Sequence, residues 1–226
     1  MTINRHPPGL PGELIEMYRG LPPATIGHVV DDRFVDTAIR PIFKRISVVG
    51  TAVTAKLPEG DLTLTRAAIE QLQPGDVLIV DWGGQSQAAC WGEMTSLAAK
   101  IKGCVGVIVD GAVTDVVEIE DQQMPTFARA ISALVGRRLE TGAGGINVPV
   151  QCGGVSVHPG DLVVADDNGI VIIPPARAKE IAQRARAAED RAPFQRIWLE
   201  RGGSLADLMG KEAAQIQRML QDRGWA

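Results

Sequence analysis

The chain has 226 residues, with 23 lysines and arginines against 27 aspartates and glutamates and a formal net charge of −4. This acidic balance, without a basic run interleaved with aromatics, excludes nucleic acid as the main partner, because neutralising phosphates requires clustered cations. A hydrophobic content of 45% with 22% charged residues is typical of a soluble globular protein that buries a sizeable core.

The N-terminus and the cysteines indicate a cytoplasmic protein. Residues 1–23 begin with a proline- and glycine-rich stretch, which predicts an arm that wraps loosely over the surface or over a neighbouring subunit. The chain shows no signal-peptide pattern and no apolar run near the ~18 residues of a membrane span, so we expect no membrane contact. Cys90, Cys104 and Cys152 lack the spacing of zinc sites or redox pairs, so we expect free, buried thiols.

The first two thirds of the chain predict alternating strands and helices. A short helix over residues 13–19 precedes a β-branched strand over residues 45–57, in which Gly50 marks a bulge or a close approach. Hydrophobic periodicity then predicts, in order, a helix over 64–72, a strand over 77–81, a helix over 93–102, a strand over 105–109, a helix over 116–122 and an extended segment over 125–130.

The pattern changes towards the C-terminus. Residues 146–174 predict a series of short strands, punctuated by the turn signals Pro159-Gly160-Asp161 and Asp167-Asn168-Gly169. Two charged amphipathic helices, broken at Gly202-Gly203, form a predicted helical tail over residues 176–226. The whole chain, 1–226, therefore predicts a single α/β domain with a central mixed sheet or barrel flanked by helices.

One stretch combines the features of a metal-assisted site for a small anion. The turn Gly83-Gly84 leaves one apolar strand and leads into the helix that Gly92 and Glu93 open, and the next strand delivers Asp115 beyond its end. Amides at a helix start bind anions, and carboxylates hold hard cations. Asp115 is therefore our candidate metal ligand, with capping of the following helix as the alternative.

The other polar residues near this stretch allow two interpretations each. Glu93 either contributes to the site or only follows the preference of acidic residues for the first turn of a helix. Asp81 and Asp110 each lie at the end of an apolar strand. They either contact the residues that bind metal and substrate, or only form turns. His28 follows Gly27 in a loop and is a candidate for acid–base chemistry.

Several sequence blocks, in this order, resemble the RraA-like family from about residue 24 to residue 174. This family includes class II pyruvate aldolases acting on 4-hydroxy-4-methyl-2-oxoglutarate and 4-carboxy-4-hydroxy-2-oxoadipate, proteins of the oxaloacetate decarboxylase type, and the regulator of ribonuclease activity A. The blocks are Arg40-Pro41-Ile42, Gly50-Thr51-Ala52-Val53-Thr54, Trp91-Gly92-Glu93, Val109-Asp110-Gly111-Ala112-Val113, Asn147-Val148-Pro149-Val150, His158-Pro159-Gly160-Asp161 and Ala165-Asp166-Asp167-Asn168-Gly169.

The resemblance implies an RraA-like fold and a lyase that cleaves a C–C bond of a small 2-oxo acid through a pyruvate enolate. It implies that Asp115 holds Mg²⁺ or Mn²⁺, that Glu93 assists through water, and that the pyruvyl carboxylate rests on the helix-start amides of Gly92, Glu93, Met94 and Thr95. It also implies a homotrimer or homohexamer with sites near subunit boundaries.

Two positions depart from the family pattern. Thr114 stands where the aldolases carry an arginine that binds the substrate, and His28 stands near an acidic position that reaches a neighbouring subunit's site. Glu189 is a candidate match to an acidic residue donated across that interface. The alternatives are a different metal-dependent reaction that uses His28 and Thr114, or a non-catalytic ribonuclease regulator, although the regulatory branch tends to lose the aspartate found here as Asp115.

Overall fold

The computed structural model describes residues 1–225 and shows a mixed ten-stranded sheet flanked by helices. A separate two-stranded sheet is formed by β9 and β10. The strands are β1 (Thr2–Ile3), β2 (Arg40–Pro41), β3 (Ser47–Lys56), β4 (Asp76–Asp81), β5 (Ala89–Trp91), β6 (Gly106–Val113), β7 (Thr126–Ile131), β8 (Gly145–Ile146), β9 (Val150–Cys152), β10 (Val155–Val157), β11 (Leu162–Asp166) and β12 (Gly169–Ile173).

The helices lie between the strands and, at the end of the chain, after them. They are α1 (Gly12–Tyr18), α2 (Pro23–Ile26), α3 (Thr63–Gln71), α4 (Glu93–Ile101), α5 (Val116–Asp121), α6 (Pro175–Glu189), α7 (Ala192–Glu200) and α8 (Ala213–Asp222), with a 3₁₀ turn at Leu205–Leu208. Within residues 1–225, every helix falls short of the length and apolar character that crossing a bilayer requires.

Four parallel strands, β3, β4, β6 and β7, form the centre of the sheet. Every residue of β4 and β6 is buried, as expected for parallel strands covered on both faces. Gly50 makes the close approach that the sequence predicts, because a Cβ there would lie 2.4 Å from the Gly75 carbonyl oxygen. The sheet order runs β1-β8-β3-β4-β6-β7-β2, with β11 and β12 added to β3. Across residues 1–225 the two end strands do not pair, so the sheet is open and not a barrel.

Three groups of buried apolar side chains stabilise the molecule. The largest surrounds the central strands, and the second packs α1, α2 and α6 against β11 and β12. The third holds the end of the chain together through Trp198, Leu208, Ile216 and Leu220. This last group joins α7 and α8 to each other, so the helical tail has a small core of its own.

Both ends of the chain differ from the sequence predictions. The tail contains three helices instead of two, because the chain turns at Asp190 and a new helix begins at Ala192. Pro193 fits the first turn of this helix, where a backbone N–H would have no intrahelical acceptor. The N-terminal arm is not loose. It adds β1 beside β8, and the His6 Nε2 lies 2.7 Å from an oxygen of the buried Asp76 carboxylate.

Around the middle of the chain, β6 is longer than predicted and extends to Val113. The short strand β5 was not predicted at all. It runs parallel to β6, and its last residue, Trp91, is level with Val113. This pairing decides where the next residues of both segments emerge.

Candidate active site at the carboxyl ends of the parallel strands

The register between β5 and β6 brings two distant segments side by side. Because Trp91 is level with Val113, the residues that follow, Gly92 and Thr114, leave the sheet together at its carboxyl edge. The Thr114 amide donates to the Trp91 carbonyl oxygen at 2.9 Å and fixes this arrangement. In open α/β sheets, this edge is where ligands bind.

Asp115 adopts a left-handed backbone conformation with φ of 55°. Only a minority of residues other than glycine do so, and such residues cluster at functional sites. One carboxylate oxygen accepts from the Glu93 amide at 2.9 Å, and the other accepts from the Thr114 hydroxyl at 3.0 Å. Within residues 1–225 the side chain makes no capping bond to α5, the helix that it precedes. The capping alternative is therefore wrong, and the carboxylate faces the start of α4.

Gly92 leaves the space that the Asp115 carboxylate fills. A Cβ at this position would lie 2.4 Å from an Asp115 carboxylate oxygen and 2.8 Å from the Thr114 methyl group. Its φ of −163° is ordinary extended backbone, so the requirement for glycine comes from contact and not from backbone strain. Gly92 and Asp115 therefore fit together, and we call this pair of residues the cradle.

The first turn of α4 presents amides to the same place. The Thr95 hydroxyl accepts from the Gly92 amide at 3.0 Å, and the Glu93 amide already binds Asp115. Two of the four amides expected to bind a substrate carboxylate are thus used inside the protein. Those of Met94 and Thr95 remain without an intrahelical acceptor by their position in the first turn. The Trp91 indole donates to the Ser96 hydroxyl at 2.7 Å and fixes the helix start.

A cavity of about 230 Å³ opens at this point. Its volume equals that of roughly eight water molecules at ~30 Å³ each, which suits a small metabolite. Burial raises the pKa of the Cys90 thiol in its wall, so this cysteine is a neutral packing group at neutral pH. The lining residues are Leu62, Cys90, Trp91, Gly92, Glu93, Met94, Thr95, Thr114, Asp115 and Val135.

Asp81 and Asp110 lie outside this cavity and hold neighbouring loops. Asp81 accepts from the amides of Gly83 at 3.0 Å and Gln151 at 3.2 Å. Asp110 accepts from the Gly153 amide at 2.6 Å and is paired with Arg129. Of the two interpretations left open by the sequence, these contacts favour a structural role in turns.

His28 is not among the residues that line the cavity. It is exposed in the turn after α2, where its amide donates to the Thr25 carbonyl oxygen. The Thr25 hydroxyl in turn donates to the Glu189 carboxylate at 2.7 Å. Thr25 thus hydrogen-bonds to both His28 and Glu189, and neither of these two residues lines the cavity beside Asp115.

Four apolar residues line the cavity and were not among the predicted site residues: Leu62, Cys90, Trp91 and Val135. Cys90 and Trp91 directly precede the predicted helix start at Gly92. Leu62 and Val135 lie in segments without helical or strand periodicity, and the sequence carries no signal for them.

Comparison with known proteins matches this architecture to one family. The model of the RraA-like family, described as Aldolase/RraA, matches residues 26–172. A Halalkalibacterium halodurans protein, provisionally named 4-hydroxy-4-methyl-2-oxoglutarate aldolase, is 33% identical over 80% of this chain and 86% of its own length.

Two solved structures share the fold. Streptomyces coelicolor RraAS2, described as an unusual member of the RNase ES inhibitor RraA protein family, has 30% identity and a TM-score of 0.72, and the match covers 83% of this chain and 98% of that one. A Pseudomonas syringae protein has a TM-score of 0.78 with 22% identity, covering 89% and 98% of the two chains, and supports the fold alone.

Proposed function

Because this chain belongs to the RraA-like family, we propose that it is a divalent-metal-dependent lyase of the aldolase or oxoacid-decarboxylase type, acting on a small 2-oxo acid. One observation carries the proposal. The Asp115 carboxylate is held in a left-handed conformation beside the amides of a helix start, in the wall of a cavity of metabolite size.

The residues present fit Mg²⁺ or Mn²⁺ better than Zn²⁺. Within residues 1–225, no group of three or more histidine, cysteine, aspartate or glutamate side chains is placed to share a metal ion. Zinc sites need such a group, whereas Mg²⁺ keeps several waters and takes one or two carboxylates plus substrate oxygens. Asp115 would hold the ion directly and Glu93 through water. The bound ion would act as a Lewis acid on the 2-oxo group.

The protein's own groups bind and orient the substrate. The amides of Met94 and Thr95 would donate hydrogen bonds to the carboxylate next to the 2-oxo group, and the positive end of the α4 dipole would add to the attraction. The Glu93 amide and the Thr114 hydroxyl each hold one Asp115 oxygen and so fix the direction of the carboxylate. Apolar walls at Leu62, Trp91 and Val135 limit water around the reacting carbons.

The proposed chemistry balances without an added oxidant or reductant. In oxaloacetate, the bond between C3 and C4 breaks, CO₂ leaves, and the electron pair passes into the 2-oxo group as an enolate. A proton from water then returns to C3 to give pyruvate. In a 4-hydroxy-2-oxo acid, the hydroxyl loses its proton, an aldehyde or ketone leaves, and the same enolate is protonated.

The direct test is turnover of oxaloacetate and 4-hydroxy-2-oxo acids by purified protein. We expect pyruvate formation that EDTA abolishes and that added Mg²⁺ or Mn²⁺ restores. Turnover that is indifferent to chelation would contradict the metal part of the proposal. Absence of pyruvate with either substrate class, with metal present, would contradict the lyase part.

Thr114 is the position where a substitution should increase activity. A threonine hydroxyl cannot supply the bidentate cation that an arginine offers to substrate oxygens. We expect Thr114→Arg to raise oxaloacetate turnover about tenfold or more, which requires only ~1.4 kcal/mol of transition-state stabilisation. Steady-state kinetics with saturating metal would measure the change.

Thr114→Gln is the matched control, because it removes the same hydroxyl and adds length without charge. We expect it to lower turnover modestly, since the hydroxyl no longer supports Asp115. Unchanged oxaloacetate turnover in Thr114→Arg, with bound metal demonstrated, would mean that Thr114 marks a different metal-dependent chemistry on this scaffold.

The proposal includes a homotrimer or homohexamer. Met94 and Val135 line the cavity, yet 68% and 49% of their surfaces are exposed in the single chain. A second copy that covers the mouth would bury such apolar side chains. Light scattering at micromolar concentration should show an assembly of three or six copies, and a monodisperse monomer would contradict this.

Regulation of a ribonuclease is the second candidate, and it is favoured by the description of the Streptomyces coelicolor relative as a member of an RNase ES inhibitor family. An inhibitor has no need for a strained carboxylate in a small cavity, so Asp115 supports the lyase instead. Purified protein that forms no pyruvate but slows RNA cleavage by an RNase E-type enzyme would reverse this ranking.

A further inference from the structure

The strand β6 contains a bulge just before it reaches the candidate site. Up to Val109, β6 and β7 pair residue for residue, but from Ala112 onward the pairing is shifted by one position. Two residues of β6, Asp110 and Gly111, therefore lie opposite the single residue Arg129 of β7. Bulges are rare in parallel pairs, and they are over-represented next to active sites, where they redirect a side chain.

The strand β6 also changes its other neighbour at this bulge. It pairs with β4 as far as Asp110, and beyond the bulge it pairs with β5, whose last residue, Trp91, is level with Val113. One extra residue moves the rest of β6 by about 3.3 Å relative to β7. Because β5 pairs only with the part of β6 that follows the bulge, the bulge decides whether Gly92 meets Asp115.

The loop that leaves β4 packs against the bulge from one side. A Cβ on Gly111 would lie 2.6 Å from the Trp82 indole ring and 2.9 Å from the Gln85 carbonyl oxygen, so only glycine fits there. The Gly84 amide donates to the Asp110 carbonyl oxygen at 3.0 Å. These contacts fix the main chain of the bulge but leave the Asp110 carboxylate to other partners.

A sheltered ion pair holds the bulge from the side of β7. The Arg129 Nε donates to one oxygen of the Asp110 carboxylate, and the Gly153 amide donates to the other at 2.6 Å. Only 20% of the Arg129 side chain and 9% of the Asp110 side chain are exposed. The Arg129 Nη1 also donates to the Asp36 carboxylate at 2.9 Å, which orients the guanidinium group.

The Asp110 carboxylate depends on Arg129 for its charge balance. Within residues 1–225, Arg129 is the only cation within ion-pair distance of it. Removing one member of a largely buried pair leaves the other charge without compensation. Without Arg129, the Asp110 carboxylate would keep one amide donor and little water, and it would gain solvation by turning outward, which opens the bulge.

We propose that Arg129 is a positioning residue for the candidate site. By holding Asp110 in the bulge, it fixes the register of β6 with β5 and so places the Asp115 carboxylate against the Glu93 amide. Arg129 touches neither metal nor substrate in this role. The inference deepens the proposed function and rests on it for its catalytic consequence, whereas the geometric part can be tested without turnover.

Hydrogen exchange of the Glu93 amide tests the geometry directly. This amide lies in the first turn of α4 and has no intrahelical acceptor, so its protection reports the 2.9 Å bond to Asp115. We expect Arg129→Met to speed its exchange by about tenfold or more. The Val107 amide, which donates to Pro125 ahead of the bulge, should change by less than about twofold.

Two further variants at the ion pair strengthen the test. Arg129→Lys keeps the charge but lacks the planar group that serves two carboxylates, so its Glu93 exchange should fall between the wild type and Arg129→Met. Asp110→Asn keeps the shape and can still accept from the Gly153 amide, while it removes the charge that Arg129 holds. It should also speed Glu93 exchange, and it carries the test if Arg129→Met does not fold.

Arg177→Gln is the matched control. Arg177 lies in α6 and also binds an aspartate, Asp32, through two hydrogen bonds of 2.8 and 3.2 Å. Neither residue lines the cavity, so Glu93 exchange should stay at the wild-type rate. Unchanged Glu93 exchange in Arg129→Met and Asp110→Asn, equal acceleration of Glu93 and Val107, or the same acceleration in Arg177→Gln would overturn the proposal.

Mn²⁺ affinity and turnover separate this proposal from the proposed function. We expect Arg129→Met to weaken Mn²⁺ binding by about tenfold and to lower kcat/KM for pyruvate formation by a similar factor. If the wild type forms no pyruvate but Glu93 exchange responds to Arg129→Met, the lyase assignment fails and the role of Arg129 stands. If the wild type forms pyruvate and neither Glu93 exchange nor Mn²⁺ affinity responds, the role of Arg129 fails alone.

Discussion

Replacing Asp115 by asparagine is expected to lower kcat/KM for C–C cleavage by about three orders of magnitude, or ~4 kcal/mol. The substitution removes the negative charge that would hold the cation but keeps the shape of the side chain. Asparagine tolerates the left-handed conformation, and its amide oxygen can still accept from the Glu93 amide. Alanine would also strain the backbone at the positive φ of residue 115, so its effect on activity would not report the loss of charge alone.

The fold should survive this change. Asp115 is exposed, so its substitution creates no cavity and buries no unpaired partner. We expect a Tm within about 4 °C of the wild type, which corresponds to roughly 1 kcal/mol in a chain of this size. Wild-type turnover in Asp115→Asn at saturating metal would exclude the proposed site.

Adding a single methyl group at Gly92 should nearly abolish activity. In Gly92→Ala the new Cβ overlaps the Asp115 carboxylate and the Thr114 methyl group, so the carboxylate must turn away from α4. We expect kcat/KM to fall about 100-fold or more, ~2.7 kcal/mol, together with weaker metal binding. Kinetics and a metal titration on the same preparation would show both effects.

Gly12→Ala is the control for Gly92→Ala. A Cβ at Gly12 meets nothing within 4 Å, and the residue begins α1, far along the chain from the cavity. We expect it to retain full activity. Full activity in Gly92→Ala as well would show that the cradle around Asp115 is not needed for catalysis.

The parts of the fold that the sequence predicts are those with strong local patterns. Continuous apolar runs predict the fully buried strands β4 and β6. Helical periodicity and the glycine that follows predict α4. The strand β5 was missed because it has only three residues and is stabilised by partners distant in sequence, β6 and Val135.

The candidate site also has a part that local sequence patterns predict and a part that depends on distant contacts. Asp115 and Glu93 stand out from residue type and position, but the contact between the Asp115 carboxylate and the Glu93 amide joins residues 22 apart and depends on the register of β5 with β6. Val135 was invisible in the sequence, because it lies in an aperiodic loop and is positioned only by its bridge to Ala89.

The central claim is that the Asp115 carboxylate holds a divalent cation beside the start of α4. Mn²⁺ binding, followed by electron paramagnetic resonance with oxalate present as a stable mimic of the pyruvate enolate, tests it most directly. We expect one Mn²⁺ per chain in the wild type, retained in Gly12→Ala and lost in Asp115→Asn. Equal Mn²⁺ binding by the wild type and Asp115→Asn, or none by either, would contradict it.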